Sequence, residues 1–389
     1  MALANGASPR RILYIAPDDP WDWWTNSGFS RMLCQHLRAR GLLWGALSRH
    51  ATSRAGLHGP IPLARLWRSV ARRLGKGPRR LFWDDESEGV IGQVLRELPP
   101  DTPVIYQYIF PKIDRSLPIK RYLFQDITVR DAVRTAAYGH GQMSPEQVEQ
   151  KVAAQKRAIE EADGVLTFST YAAESICNDY GYPPERVAAI GCGPVRAPSR
   201  ATEPSLARYS ASRILFAGRD WQRKGGPILL EAYRIVRSRM PASTLTIIGP
   251  STPPADEPGV RFLGLVSNRR LRQEFAEASL FCMPSVCETW GIVYIDAAQA
   301  GLPVAGFRQW ALPDIVADGN TGRLTDDATP EGLARVLLEL LSDPQRMLQM
   351  GRAARQRVRC VLDWRHVIDR LLAPIMPEQL GARAPARMR

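Results

Sequence analysis

The chain has 389 residues, enough for two domains of ordinary size, each with its own core. Hydrophobic residues make up 45% and charged residues 23%, as in a soluble globular protein, and no apolar run nears the roughly 18 residues that span a bilayer. Lysine and arginine number 52 against 39 acidic residues, and the net charge of +13 implies an anionic partner: nucleic acid, anionic lipid or a phosphorylated small molecule.

The order of elements reads as α/β. Residues 11–16 form an apolar strand, and a loop with Trp21, Trp23, Trp24 and Ser27-Gly28 follows. A helix over 29–40 ends at Gly41. Further strands are expected at 104–108, 121–124, 165–168 and 187–190, with helices at 86–97, 145–161 and 171–180. Residues 1–195 thus make one doubly wound domain. Residues 196–205, rich in proline and small polar residues, read as a linker. The alternation then restarts over 206–360. Its strands are 214–217, 245–248, 260–263, 280–283 and 303–305, and its helices 227–239, 268–278, 291–300, 330–341 and 344–360. A last helix at 363–372, within a segment 361–376, precedes a basic tail, 377–389, expected to be disordered. Met1 to Arg11 is polar and lacks the apolar stretch of a secretory signal, so a cytoplasmic location is expected. Cys34, Cys177, Cys192, Cys282, Cys287 and Cys360 show no CxxC or Cys/His spacing, which argues against a disulfide framework or zinc site.

Two segments carry chemistry. In Phe216-Ala-Gly-Arg-Asp-Trp-Gln-Arg-Lys-Gly225 a strand ends at Gly218, and Arg219 and Lys224 project from the loop before a helix. Ligands of open α/β sheets bind there, beside helix N-termini that favour anions; arginine offers a fork to phosphate oxygens and lysine a compact charge. A solvated basic turn is the plain alternative. In Pro284-Ser-Val-Cys-Glu-Thr-Trp-Gly-Ile-Val-Tyr-Ile-Asp296, Glu288 closes a strand-to-helix loop and Asp296 sits two turns on. One carboxylate suits sugar hydroxyls and the other a ribose. Taken alone, two carboxylates at this spacing are a weak signal.

Together these segments resemble the retaining family-4 glycosyltransferases, whose GT-B fold has two facing Rossmann-like, doubly wound domains, a cleft between them and a C-terminal helix crossing back. Arg219 and Lys224 fall on the family's Gly-Arg…Lys-Gly element, Glu288 and Asp296 on its Glu-x7-Glu element. Gly301-Leu-Pro-Val304, Pro313-Asp-Ile-Val316 and Asp318-Gly-Asn-Thr-Gly322 follow in the family's order, over roughly 213–372. The resemblance implies a donor site of Gly28, Gly218, Arg219, Lys224, Val266, Glu288, Thr289, Trp290, Gly291, Ile292 and Asp296. The donor would be a UDP- or GDP-linked sugar and the acceptor a saccharide or lipid-linked molecule. It also implies front-face transfer with retention, using no metal and no cofactor. Three departures stand out: aspartate at 296 for glutamate, Trp310-Ala-Leu-Pro-Asp314 for Gly-Gly-x-Pro-Glu, and Phe124-Gln-Asp-Ile127 for a histidine-bearing loop. Asp126 is then the residue left to orient sugar or acceptor.

Between Arg49 and Arg80 there are nine Lys/Arg and no Asp/Glu. Leu63, Leu66, Trp67, Val70 and Leu74 line one helical stripe, with Arg65, Arg68, Arg72 and Arg73 beside it. Such a helix suits an anionic membrane face, an anionic acceptor, or burial of the same stripe in the core. Trp21, Trp23 and Trp24 suit a sugar or lipid, or simple closure of their own loop. Competing functions are a non-catalytic sugar-nucleotide-binding subunit, a GT-B epimerase and, with a pI near 9.8, a nucleic-acid-binding protein, though no nucleic-acid motif is present.

Overall fold

The computed structural model describes residues 10–23, 25–51, 57–58, 89–196, 204–252, 256–380 and 388. They divide into two compact units. The first takes the chain up to Thr167, then Ala172–Ile190, and resumes at Ile368; the second holds Phe168–Tyr171 and Gly191–Val367.

In the first unit six strands are parallel: β1 Ile12–Ala16, β2 Leu43–Ser48, β3 Pro103–Gln107, β4 Lys120–Gln125, β5 Gly164–Thr167 and β6 Val187–Ala189. Their order is β2-β1-β3-β4-β5-β6, so chain direction across the sheet reverses between β1 and β3. Helices α1 Phe29–Ala39, α2 Gly89–Arg96, α3 Val129–Arg134, α4 Pro145–Glu161 and α5 Thr170–Tyr180 accompany it. One core face joins Leu13, Ile15, Val104, Tyr106, Leu123 and Val165 to Ile91, Val94, Ile159 and Ile176. Gaps in an apolar face of this size are costly, which sets the strand register.

The second unit has β7 Arg213–Ala217, β8 Thr244–Ile248, β9 Val260–Gly264, β10 Leu280–Cys282, β11 Val304–Phe307 and β12 Gly322–Thr325. Its sheet, again parallel, runs β12-β11-β10-β7-β8-β9, the dinucleotide-binding order with its reversal between β7 and β10. The helices are α6 Leu206–Ser210, α7 Gly226–Arg239, α8 Asn268–Glu277, α9 Ile292–Gln299, α10 Leu312–Ile315, α11 Pro330–Leu341, α12 Pro344–Cys360 and α13 Trp364–Ile375. The first turn of α13 belongs to this unit and the rest of it to the first.

Expected helices begin on the expected residue where local signals coincide. The side chains of Ser144, Thr329 and Asp343 each accept a hydrogen bond from the backbone N–H three residues on, with proline at the next position, and α4, α11 and α12 start there. Strands β2 and β12 are not among the expected strands. Each carries a glycine that a local pattern counts as a breaker. A Cβ on Gly45 would lie 2.7 Å from Leu57 Cδ1, and one on Gly322 would lie 2.1 Å from Val304 O. Close neighbours, not turns, require these glycines. Helix α13 runs past the expected 363–372, through Pro374 to Ile375. The stripe at 63–74, with Arg65, Trp67, Arg68, Arg72 and Arg73, lies outside the described residues, as do Trp24, most of the 196–205 segment and most of the tail. No helix among the described residues is long and apolar enough to cross a membrane.

Candidate functional site

The reversal point of the second unit organises the site. At such a point two neighbouring strands send their loops to opposite sides, leaving a crevice at their carboxyl ends. The loops flanking it follow β7 and β10, and they carry Arg219–Lys224 and Glu288.

Gly225 and Gly291 explain how the two loops turn into helices. Gly225 has φ +71° and caps α7; a Cβ there would fall 1.9 Å from Pro284 O, in the β10 loop. Gly291 has φ +83° and caps α9, where a Cβ would meet the Tyr294 ring at 2.5 Å. Neither cap supplies a side-chain acceptor; in α7 the Gly226 N–H donates to Trp221 O at 2.9 Å and Pro227 has no N–H, so what this helix end offers an anion is chiefly its dipole.

The loops are laced together. Val286 N–H donates to Arg223 O at 2.9 Å, and Arg223 Nη1 to Cys287 O at 3.0 Å. Asp220 holds Arg223 in turn, accepting from its N–H at 3.1 Å and its Nε at 3.0 Å. From the far side of the β10 loop, Gln309 Nε2 donates to Ser285 O at 2.9 Å and Trp310 Nε1 to Val286 O at 2.7 Å.

At the centre, Lys224 Nζ donates to Glu288 Oε2. Their side chains are 13% and 7% exposed, so this pair is shielded from solvent in a way a surface bridge is not. Ser285 Oγ adds a 3.3 Å hydrogen bond to the same oxygen. The lysine stem crosses the end of β7, where a Cβ on Gly218 would come 3.0 Å from Lys224 Cγ. Arg219 is exposed on the same loop. Thr289 and Trp290 are buried, Trp290 stacked on Phe168 at 6.1 Å, and Ile292 is half-buried. Val266, half-buried, follows β9 beside Leu265, which is 66% exposed. Asp296 is buried in the second turn of α9, and its carboxylate pairs with Arg196. Burial lifts that carboxyl from 3.8 to about 6, with Arg196 working in the opposite direction.

The first unit has its own crevice, between β1 and β3. Gly28, at φ +89°, opens α1 with no side-chain cap. Tyr14 OH donates to Gln107 Oε1 at 2.5 Å and Ser30 Oγ donates to it at 2.8 Å, tying β1, β3 and the first turn of α1 together. After β3, Tyr108 is half-buried and its hydroxyl bonds the Asp126 carboxylate; desolvation and that carboxylate push the phenol well up. Gln125, 3% exposed, keeps an Nε2 with no acceptor. Trp21 is 2% exposed under the Arg38 guanidinium, at 4.2 Å, and so closes its loop on its own unit. Trp23 is 47% exposed with Arg31 over its ring at 4.6 Å.

The structure thus brings Gly218, Lys224, Glu288 and Gly291 together and keeps Asp126 and Gly28 in a separate unit. Sequence reasoning missed Arg196, Asp220, Arg223, Ser285, Gln309 and Trp310. Asp220, Arg223 and Ser285 stand inside the two motif segments and Trp310 in the Trp310–Asp314 stretch, so all four were legible; Arg196 and Gln309 lie far from the groups they serve.

The Glycosyl transferases group 1 family matches residues 211–343, which contain both loops. This stretch is a group 1 glycosyltransferase domain. The family-4 resemblance of the motifs is borne out, and the glycosyltransferase domain is the unit that carries them. A D-inositol 3-phosphate glycosyltransferase of Streptomyces avermitilis is 34% identical over 165 residues, 38% of this chain and 36% of that protein. The chain spans between 35% and 58% of the length of the curated relatives it matches. Among solved structures, sucrose-phosphate synthase from Thermosynechococcus elongatus matches with TM-score 0.66 and 18% identity, covering 97% of this chain and 100% of that one. Anabaena HepE in complex with UDP-glucose matches with TM-score 0.57 and 14% identity over 96% of this chain and 100% of that one. These likenesses establish the fold: around the glycosyltransferase domain the chain is GT-B.

Proposed function

We propose that the protein transfers a hexose-type sugar from a nucleotide-diphosphate sugar, UDP- or GDP-linked, to a saccharide or lipid-linked acceptor, with retention and without a metal. The observation that carries this reading is the shielded Lys224–Glu288 pair at the reversal point, between two helix N-termini that lack side-chain caps. The leaving diphosphate gathers charge as the sugar develops oxocarbenium character, and preorganised donors there lower the barrier most. Arg219 and Lys224 supply them, with the positive end of the α7 dipole beside them. Glu288, held by Lys224 and Ser285, accepts from sugar hydroxyls. The leaving phosphate takes the acceptor proton, so no separate base is needed. Asp126, in the first unit, orients sugar or acceptor.

Calorimetry with UDP, GDP and ADP tests the donor. One nucleotide family should bind tightly; no binding at millimolar concentration would end the reading. Arg219→Ala and Lys224→Ala should each weaken that nucleotide at least tenfold, about 1.4 kcal/mol. Glu288→Ala should lower turnover more than nucleotide affinity. Turnover should persist in a chelator. Unchanged affinity in both cation variants would remove them from the phosphate site.

A membrane-face acceptor is supported by the basic stripe at 63–74. Co-sedimentation with anionic vesicles at low salt tests it, and protein left wholly in the supernatant would count against it. The buried Gln125, which cannot transfer a proton, favours a second reading as a sugar-nucleotide-binding subunit without turnover. Product formation with any acceptor removes that reading.

A further inference from the structure

The two oxygens of Asp296 have different surroundings. Oδ2 accepts from Nη1 of Arg196, 100 residues earlier in the chain. Oδ1 is buried and has no hydrogen-bond donor. Buried carboxylate oxygens are nearly always satisfied, so an unfilled one in a shielded position marks a place for a donor the protein does not supply. The Arg196 guanidinium already balances the charge, so a second cation has no carboxylate left to neutralise. A neutral hydroxyl would satisfy this oxygen without adding charge.

The backbone leading to Arg196 is held firmly. Trp364 Nε1 donates to Pro194 O at 2.7 Å, and its ring occupies the space a Cβ on Gly193 would enter, 2.6 Å from Cδ1. Cys192 and Val195 are buried on either side. Arginine is suited to this task because its planar fork fixes the rotation of a carboxylate, whereas lysine offers a point charge.

We infer that Arg196 is a positioning residue for the donor's ribose: it anchors Asp296 Oδ2 and leaves Oδ1 to accept a ribose hydroxyl. This rests on the donor site proposed above. Arg196 itself touches no substrate. Its loss lets the carboxylate rotate and leaves the charge unbalanced, so the contact most affected is the one to the ribose.

The test measures, by calorimetry, UDP and 2′,3′-dideoxy-UDP (or the GDP pair, if GDP binds) against the wild type, Arg196→Met and the milder Arg196→Lys. The wild type should prefer the ribonucleotide tenfold or more. Arg196→Met should lose most of that preference while its affinity for the dideoxynucleotide stays within about twofold. Arg196→Lys, which keeps the charge, should retain part of the preference. Undiminished preference in both variants overturns the inference. So does an equal loss of affinity for both nucleotides, the mark of a merely structural role. A wild type that does not discriminate overturns the ribose contact of Asp296, whereas the Arg219 and Lys224 results judge the donor site separately.

Discussion

At the scale of single residues, the site depends on shielded charges. Burial raises Asp296, so the folded carboxyl holds its proton to higher pH than the unfolded one. Its contribution therefore favours the fold most below about pH 4 and is lost as pH rises through about 6. The ionised group then costs about 3 kcal/mol at neutral pH. Asp296→Asn should flatten this part of the profile: between pH 4.5 and 7, urea midpoints of the wild type should fall relative to the variant. Parallel profiles would show that Asp296 does not titrate there. The Lys224–Glu288 pair behaves differently. Removing one partner strands the other charge, so Lys224→Ala should cost about 3 kcal/mol, whereas Lys224→Met with Glu288→Gln should cost less than the sum of the two single changes. Additive costs would mean that the two side chains do not act as a pair.

At the scale of elements, the decisive positions are where loops turn into helices. Gly225 combines a left-handed backbone with a neighbouring carbonyl that a Cβ would strike. Gly225→Ala should therefore destabilise by more than about 2 kcal/mol and weaken nucleotide binding with it, because α7 can no longer start against the β10 loop. A urea midpoint unchanged from wild type would show that the loop has room. Three of the seven left-handed non-glycine residues among the described residues lie in loops that follow strands. Ser27 lies just before α1 in the loop that leaves β1, Tyr108 directly follows β3, and Trp310 follows β11. Loop and cap chemistry was legible in the sequence because a cap, a proline and a glycine act within a few residues of one another. Strands β2 and β12 were not, because the reason for Gly45 and Gly322 is a neighbour from elsewhere in the chain.

At the scale of the whole molecule, each unit has its own core and its own reversal point, but only the second carries the Lys224–Glu288 pair. Nucleotide diphosphate should therefore protect amides in the β7 and β10 loops and near Asp296 from hydrogen exchange, and stabilise by about 2.7 kcal/mol at a hundredfold excess over Kd. Protection confined to the first unit would move the donor site out of the glycosyltransferase domain.

The sequence by itself determined the α/β alternation, most helix starts, the two motif loops and the family resemblance, since periodicity, caps and motif spacing are local signals. Only the tertiary structure decided which charges meet. Lys224 and Glu288 stand 64 residues apart, and Arg196 and Asp296 stand 100 apart. Strand order sets β7 beside β10 and so brings the first pair together; the held backbone from Cys192 to Arg196 brings the second. Neither pairing has a local signature, because a charged side chain looks the same in sequence whether it meets water or a partner.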